Sequence, residues 1–404
     1  MKPDAIQAVI DAGSSQIRVI VAQKEENQPL EIIGCGVVNT ASIKNGLVSD
    51  IAATAKAIRQ AIDEAEQQSG FEIRNVDAAI GGEQVSGMNS VADCAIPTGK
   101  IRSDEISRLI LQARQKISDE NYQILHILEQ QYQVDEYSGI DEPIGMVADK
   151  LSAHLHILRV RKNNAENLKR AIEAAGIGIN ALVFSGLASS YAATTKEERE
   201  MGVCVLDIGA DTSNFMAWYE HRPLYSGGLN IGGEWVSSDL ATTFTTPRQF
   251  AEIIKCQQGA IRLSIMKSEW VNLPSTGLRP SRQVASADVV KVITARYEEI
   301  FAQLEKALHR QGMRRMSEGG LVLTGGAAQI PGLAAYVTEE FSIPVRIARP
   351  EQIANLPDHL QYDPSMMTSL GMLKLLYEPI ADHVWAKPPK KGIITRLSSM
   401  FSRS

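Results

Sequence analysis

Apolar positions along this chain follow two rhythms, and the alternation between them predicts its elements. Residues 6–10 form a short apolar run that stops at Asp11-Ala-Gly13-Ser-Ser15, and residues 17–22 resume with β-branched side chains. That pattern predicts a hairpin with a glycine-containing turn. Residues 32–38 predict a third strand, and Ile51, Ala55, Ile58, Ile62 and Ala65 then recur at helical spacing behind Asp50, a residue suited to an N-cap. Residues 76–80 read as a strand stopped by Gly81-Gly82. Strand, strand, strand, helix, strand implies a mixed sheet with helices packed on it, an α/β architecture.

The texture changes between Glu83 and Val160. Ser103 with Asp104 and Glu105 opens a helix carrying Ile106, Leu109, Ile110, Ala113 and Ile117, and Leu151, Ala153, Leu155 and Ile157 alternate as in a half-buried strand. This stretch reads as an inserted α+β subdomain. A helix over 164–175, closed by Gly176, leads to a strand over 179–184 and a helix opened by Ser185-Gly-Leu-Ala-Ser-Ser190-Tyr191. The first pattern then returns: residues 203–206 run into Asp207-Ile-Gly209-Ala-Asp211-Thr212, and 215–219 are strand-like. Asp-x-Gly has recurred 196 positions after Asp11, the signature of two related domains in one chain. Thr246, with Pro247 at the first helical position, begins a helix through Gln257; a longer one covers 287–309; residues 272–281 between them are loop chemistry. Residues 321–323 form a strand ending in Thr324-Gly325-Gly326, residues 332–341 are helical, and 365–377 make a last globular helix.

Length and composition fit this picture. At about 150 residues per domain, 404 residues imply two to three domains, and 44% apolar with 22% charged residues is ordinary globular usage that argues against disorder or a coiled coil. A net charge of -6 argues against nucleic acid held by a global basic field. Cys35, Cys94, Cys204 and Cys256 are scattered without a C-x-x-C pair, so four isolated buried thiols are expected rather than a zinc site or a disulfide framework. No run of eighteen apolar residues occurs and no long apolar leader opens the sequence, so a cytosolic chain that does not cross a bilayer is expected.

The glycine turns carry the candidate chemistry. Backbone N–H groups converging in a tight turn form an anion-binding nest, and glycine lets that backbone approach a phosphate. Gly13-Ser14-Ser15 and Gly209-Ala210-Asp211-Thr212 suit that use, and Asp11 and Asp207 then make sense as carboxylates holding Mg²⁺. Taken singly, Asp-x-Gly is above all a common turn. Gly325-Gly326 would let backbone lie against a flat adenosine, or is simply a tight strand-to-helix turn. Glu252 and Lys255, three apart on one helix, would reach a ribose, or form a solvated ion pair.

Order and spacing together bring out a resemblance to the superfamily of actin, heat-shock chaperone and sugar kinase ATPases. Within it the chain is similar to the FtsA family of bacterial cell-division proteins. The residues that carry this are Ser185-Gly-Leu-Ala-Ser-Ser190-Tyr191, Gly202-Val-Cys-Val-Leu-Asp207-Ile-Gly209, Leu323-Thr-Gly-Gly-Ala-Ala-Gln-Ile330 with Gly332-Leu, and the 83–160 insertion. The resemblance implies an actin-like fold of two ribonuclease H-like halves: 1–82 and 163–197 as the first domain, 83–162 as the insertion, 198–225 and 311–386 as the second domain, and 226–310 as its smaller subdomain. It further implies ATP between the halves, self-assembly into filaments, other division partners, and docking of the tubulin-like protein FtsZ through its C-terminal peptide. The implied nucleotide site is Asp11, Gly13, Ser14, Ser15, Asp207, Gly209, Ala210, Asp211, Thr212, Gly232, Gly233, Glu252, Lys255, Gly325 and Gly326. Three departures stand out: Ser14 where Thr is frequent, Gln16 where Lys is often found, and Ala210-Asp211 in place of glycines. The last two make the phosphate environment less positive, so slow or negligible hydrolysis is expected. Gln130 and Gln131 fall where the family suggests a water-orienting side chain, or are surface amides.

The last eighteen residues, 387–404, carry Lys387, Lys390, Lys391, Arg396 and Arg403 and no acid, a charge of +5 against -11 for the rest. At about 100° per residue, Met400, Ile393, Leu397, Phe401 and Ile394 share an arc of roughly 120°, the outline of an interfacial amphipathic helix beyond a Pro388-Pro389 linker. The expectation is thus an ATP-binding, FtsZ-tethering scaffold peripheral to the cytoplasmic face of the inner membrane at the septum. FtsZ would dock on the smaller subdomain, where Arg279, Arg282 and Arg296 offer positive charge. The alternatives are an actin-like ATPase of type IV pilus assembly and a small-molecule kinase.

Overall fold

The computed structural model describes residues 6–24, 29–117, 119–275, 280–312, 319–350 and 355–377; Arg279 and the 387–404 tail helix lie outside them. β1 (Ile6–Ala12) and β2 (Gln16–Gln23) form the expected hairpin, and β3 (Glu31–Asn39) extends it antiparallel. β4 (Ile43–Lys44) and β5 (Leu47–Val48) make a tiny hairpin around Asn45-Gly46. α1 (Ile51–Ser69) is capped by Asp50, whose carboxylate accepts the Ala53 N–H at 2.9 Å, and it buries Ala55, Ile58, Ala61, Ile62 and Ala65. β6 (Asn75–Ile80) pairs parallel to β1.

The insertion holds β7 (Val85–Ala95), α2 (Ser103–Lys116), β8 (Tyr122–Val134), β9 (Tyr137–Ile140) and β10 (Lys150–Arg161). β10, expected to be half-buried, lies between β7 and β8 and is buried on both faces along most of its length. α3 (Lys162–Ala174) returns the chain to the first domain, where β11 (Gly178–Phe184) pairs with β6 and closes a five-stranded sheet of order β11-β6-β1-β2-β3. α4 (Ser185–Ala193) and α5 (Lys196–Met201) lead to the second half.

There β12 (Val203–Ile208), β13 (Ser213–Tyr219) and β14 (Arg222–Leu229) repeat the antiparallel meander. The segments that follow are α6 (Gly233–Thr243), α7 (Arg248–Gln258), the hairpin β15 (Trp270–Leu273) and β16 (Arg282–Ala285), α8 (Ser286–Arg310), β17 (Leu321–Thr324), α9 (Leu333–Phe341), β18 (Val345–Ile347) and α10 (Met367–Tyr377). β17 runs parallel to β12 and to β18, so β18-β17-β12-β13-β14 matches β11-β6-β1-β2-β3 strand for strand. The repeat read from Asp-x-Gly is therefore a repeat of topology.

Two expectations change, and the insertion joins the second half. Pro247 stands just outside α7 as its N-cap, with ψ at 143°, rather than at the first helical position. The position taken as the limit of the second domain, 225/226, falls inside β14, which runs to Leu229. The insertion is not a separate layer: β7 meets β14 through Gly227 and Ser86, fusing both into one nine-stranded sheet.

The halves are joined by α4, built largely of small residues, and by α10, whose Gly371 faces it. α4 is buried almost all round, as a helix at the centre of a large protein must be. α10 lies against it so closely that a Cβ on Gly371 would collide with the Ala188 carbonyl. Gly371→Ala should therefore force the pair apart at a cost of about 1–3 kcal/mol, lowering the melting temperature by several degrees. An unchanged thermal melt would show that the α4–α10 contact is not a tight constraint.

Candidate functional site

The repeated hairpins set the site. In each, the turn glycine donates to the residue that closes the turn: Gly13 to the Gln16 carbonyl at 3.0 Å and Gly209 to the Thr212 carbonyl at 2.9 Å. Both turns face one cleft of about 540 Å³ between the halves, a size typical of small-molecule sites. Its lining includes Asp11, Gly13, Ser14, Ser15, Asp207, Gly209, Ala210, Thr212, Gly233, Glu252, Lys255, Gly325 and Gly326. Gly325, at φ 87°, passes so close to Asp207 that a Cβ would strike its carboxylate.

Burial raises the pKa of Asp11, with the Arg18 guanidinium opposing, and raises that of Asp207 to about 6. For Asp207, the charge of Asp11 is the next cause after burial, so the two carboxylates feel each other across the cleft. Thr368 donates to Asp207 Oδ2 at 2.9 Å and partly offsets this. Two carboxylates that are costly to ionise together, beside nests of backbone N–H groups, suit a cation bound with an anion. Among the described residues, no group of three or more His, Cys, Asp or Glu is placed to hold a metal.

Comparison with known proteins fits this geometry. Residues 82–159 match the family model described as the SHS2 domain inserted in FtsA, and residues 204–371 match that of cell division protein FtsA. The cell division protein FtsA of Escherichia coli (strain K12) is 32% identical over 372 residues, covering 90% of this chain and 88% of that protein. The chain belongs to the FtsA family. Its fold is shared with a PilM-PilN type IV pilus biogenesis complex, at a TM-score of 0.67 and 18% identity over 93% of this chain and 99% of the other. It is shared also with the ADP-bound MreB5 of Spiroplasma citri, at a TM-score of 0.56 and 12% identity over 92% and 96%. An actin-like fold with the FtsA-type insertion is thus established.

Within this family's fold, several expected site residues sit elsewhere. Asp211 leaves the cleft: its Oδ2 accepts the Asn45 N–H at 2.9 Å, because the turn directs this side chain toward the β4–β5 hairpin of the other half. Its carboxylate therefore does not line the cleft. Gly232 packs under the second turn, where a Cβ would meet the Gly209 carbonyl at 2.7 Å, and does not line the cleft. Gln130 and Gln131 lie at the seam with the second half. Gln130 donates to the Pro223 carbonyl at 2.7 Å, Gln131 accepts from Arg222 at 3.1 Å, and neither reaches the cleft. Of the cysteines, Cys35 and Cys204 are buried, but Cys94 is half-buried and Cys256 is exposed beside the cleft.

Lys255 donates to the Gly233 carbonyl at 3.0 Å and to Glu252 at 2.6 Å, tying α7 to the start of α6. Arg296 is engaged by Asp239 at 2.7 and 2.9 Å and by Glu299 at 2.6 Å, under the Trp235 ring; Arg282 donates to the Phe244 carbonyl. Sequence reading missed Arg18, Glu234, Gln329, Asp363, Ser365 and Thr368 in the cleft wall. The 196-residue repeat held a signal for the first, since Arg18 stands opposite Asp11 as Asn214 stands opposite Asp207.

Because the folded pKa of Asp207 lies above the usual carboxylate value, its ionisation opposes folding. The penalty is absent below about pH 4 and complete above about pH 6. Asp207→Asn should then stabilise the ligand-free protein at pH 8 by about 1–3 kcal/mol and bring no gain at pH 4, read as melting temperatures at the two pH values. A variant less stable than wild type at pH 8 would contradict this electrostatic account.

Proposed function

We propose that this chain is an ATP-binding, actin-like scaffold of cell division that polymerises and tethers FtsZ filaments to the inner membrane. The observation that supports it most is the convergence of two Asp-x-Gly turns on one cleft in a member of the FtsA family. In this reading the N–H groups of both turns would receive the phosphates, Asp11 and Asp207 would hold a Mg²⁺ ion, and Gly325-Gly326 would lie along the adenosine. The α6–α7 wall, fixed by Lys255 and Glu252, faces the nucleoside. When bound, the metal neutralises phosphate charge. The chain's own part is to orient the phosphates and to couple the two halves through what lies between them.

Nothing in the cleft identifies a general base, and nucleotide acts as a switching ligand with slow or negligible turnover. FtsZ docks on the smaller subdomain around Arg279, Arg282 and Arg296. Since Arg296 already pairs with Asp239, an acidic peptide competes with an internal carboxylate, and its binding weakens with salt. No helix among the described residues is long and apolar enough to cross a membrane; in this reading attachment is through residues 390–404. Ile393, Ile394, Leu397, Met400 and Phe401 enter the interface, with Arg396 and its basic neighbours on anionic headgroups. One such tail binds weakly, and many on a filament bind with high effective concentration.

Calorimetry should detect Mg·ATP binding that Asp207→Ala weakens about tenfold or more. Cosedimentation with anionic liposomes should show ATP-promoted attachment lost in Phe401→Glu or on truncation after Pro389. Unchanged ATP affinity in the first variant would dismiss the cleft assignment. Full membrane retention of the second would dismiss the tether.

A further inference from the structure

The tip of the β4–β5 hairpin, which belongs to the first half, is fastened to the second turn. Asp211 Oδ2 accepts the Asn45 N–H at 2.9 Å, and Gly46 and Gly82 lie against the Thr212 methyl, where a Cβ would come within 3.5 and 3.1 Å of it. The base of the hairpin is fastened to the first turn. Thr40 donates its N–H to the Ser15 carbonyl at 2.9 Å, the Thr40 and Ser42 hydroxyls share a hydrogen bond of 2.7 Å, and the Ser42 carbonyl accepts the Ser49 N–H at 2.8 Å. With Asn45 and Gly46 at φ of 51° and 72°, the tip is a tight two-residue turn, short and stiff. One small hairpin thus connects both turns, and its Ile43, Gly46 and Val48 form part of the cleft wall.

Two hydrogen bonds cross between the halves here, and they differ in what breaking them costs. The bond from the Gly82 N–H to Asn214 Oδ1, at 2.7 Å, is buried, and the Gly228 backbone lies so close that a Cβ there would strike the Gly82 carbonyl. Breaking that bond strands a buried donor. Asn45 is exposed and Asp211 half-buried, so water replaces either partner as soon as the hairpin tip lifts. The exposed bond is therefore the one that yields when the halves part to pass a ligand that must reach both turns. We propose that Asp211 is a catch on the cleft: through Asn45 it sets how fast a nucleoside polyphosphate enters and leaves, and adds little to how tightly it is held. This rests on the nucleotide reading given above and adds to it the regulation of entry. Because Asp211 stands outside the cleft lining, its bond bears on the barrier between closed and open forms and not on contact with the ligand. A glycine or alanine at this position would leave the hairpin tip unfastened.

The test is stopped-flow binding of a fluorescent, ribose-labelled ATP in excess Mg²⁺ to the full chain, as wild type, Asp211→Ala and Asp211→Asn, with displacement by unlabelled ATP giving the dissociation rate. In Asp211→Ala both rate constants should rise together about three- to tenfold, the range one such hydrogen bond supplies, and leave Kd within about twofold of wild type. Asp211→Asn keeps an acceptor oxygen and should behave as wild type does. Gly46→Ala, whose Cβ would press on the Gly81 carbonyl at 3.0 Å, lifts the tip without touching Asp211 and should raise both rates in the same way, so the outcome does not hang on one variant folding. A carboxylate that only shapes the second turn would show as a weaker Kd, carried by faster dissociation with association unchanged, and that result would overturn the proposal. Unchanged rates in Asp211→Ala would overturn it as well. Wild-type protein that binds neither the labelled ATP nor, by calorimetry, unlabelled ATP would instead overturn the nucleotide reading itself.

Discussion

Asp11 and Asp207 are largely buried at the base of their turns, and the charge of Asp11 adds to the cost of charging Asp207. Left alone, such a pair would protonate or push the halves apart. Around it the structure supplies bonds that cross the cleft or the hinge: Asn45 to Asp211, Gly82 to Asn214, Thr368 to Asp207, and Trp218 to Ser190 at 3.1 Å. Three of these link one half to the other, and the Thr368 bond ties α10, packed on α4, to the second turn. The packing of α4 on α10 is the apolar counterpart, and its small residues let the backbones approach until side chains no longer separate them.

Much of this was legible in the sequence because both halves use the same local rules. An apolar run broken by Asp-x-Gly and resumed by β-branched residues can fold locally as a hairpin, so both turns could be placed without knowing their surroundings. What escaped depends on distant chain. Ser365 and Thr368 reach the cleft only because α10 returns to the hinge, and no local pattern ties Thr368 to an aspartate 161 positions earlier. Arg18 in a strand reads as a solvent-facing residue until β1 and β2 are set side by side. Asp211 was misplaced because composition records the charge of a turn and not the direction of its side chain. The Asn45-Gly46 pair, with φ of 51° and 72°, was a hairpin signal that went unread.

The insertion shows how one strand contact changes what a domain boundary means. Its chain leaves the first half after β6 and returns there at α3, so covalently it belongs to that half. Its sheet nevertheless continues that of the second half through Gly227 and Ser86. A polar seam fills the junction: His156 lies buried between Asn89, at 2.6 Å, and Ser226, at 2.7 Å, while Gln311 bonds both backbone groups of Ser226. Burial lowers the His156 pKa to about 3, so the imidazole is neutral and this part of the seam is held by hydrogen bonds, with the Arg222–Asp141 ion pair at 2.7 Å at its edge.

That arrangement restricts how the cleft can move. A rotation of the second half about the α4–α10 hinge carries β14 with it, and β14 carries β7 while the ends of the insertion stay fixed in the first half. Either the seam slips, leaving the buried His156 and Ser226 without partners, or the insertion turns as the cleft changes width. Unpartnered buried polar groups cost about 1–3 kcal/mol each, so turning is the cheaper course. On such a rotation the orientation of the insertion would follow the width of the cleft, through the Gly227–Ser86 pairing.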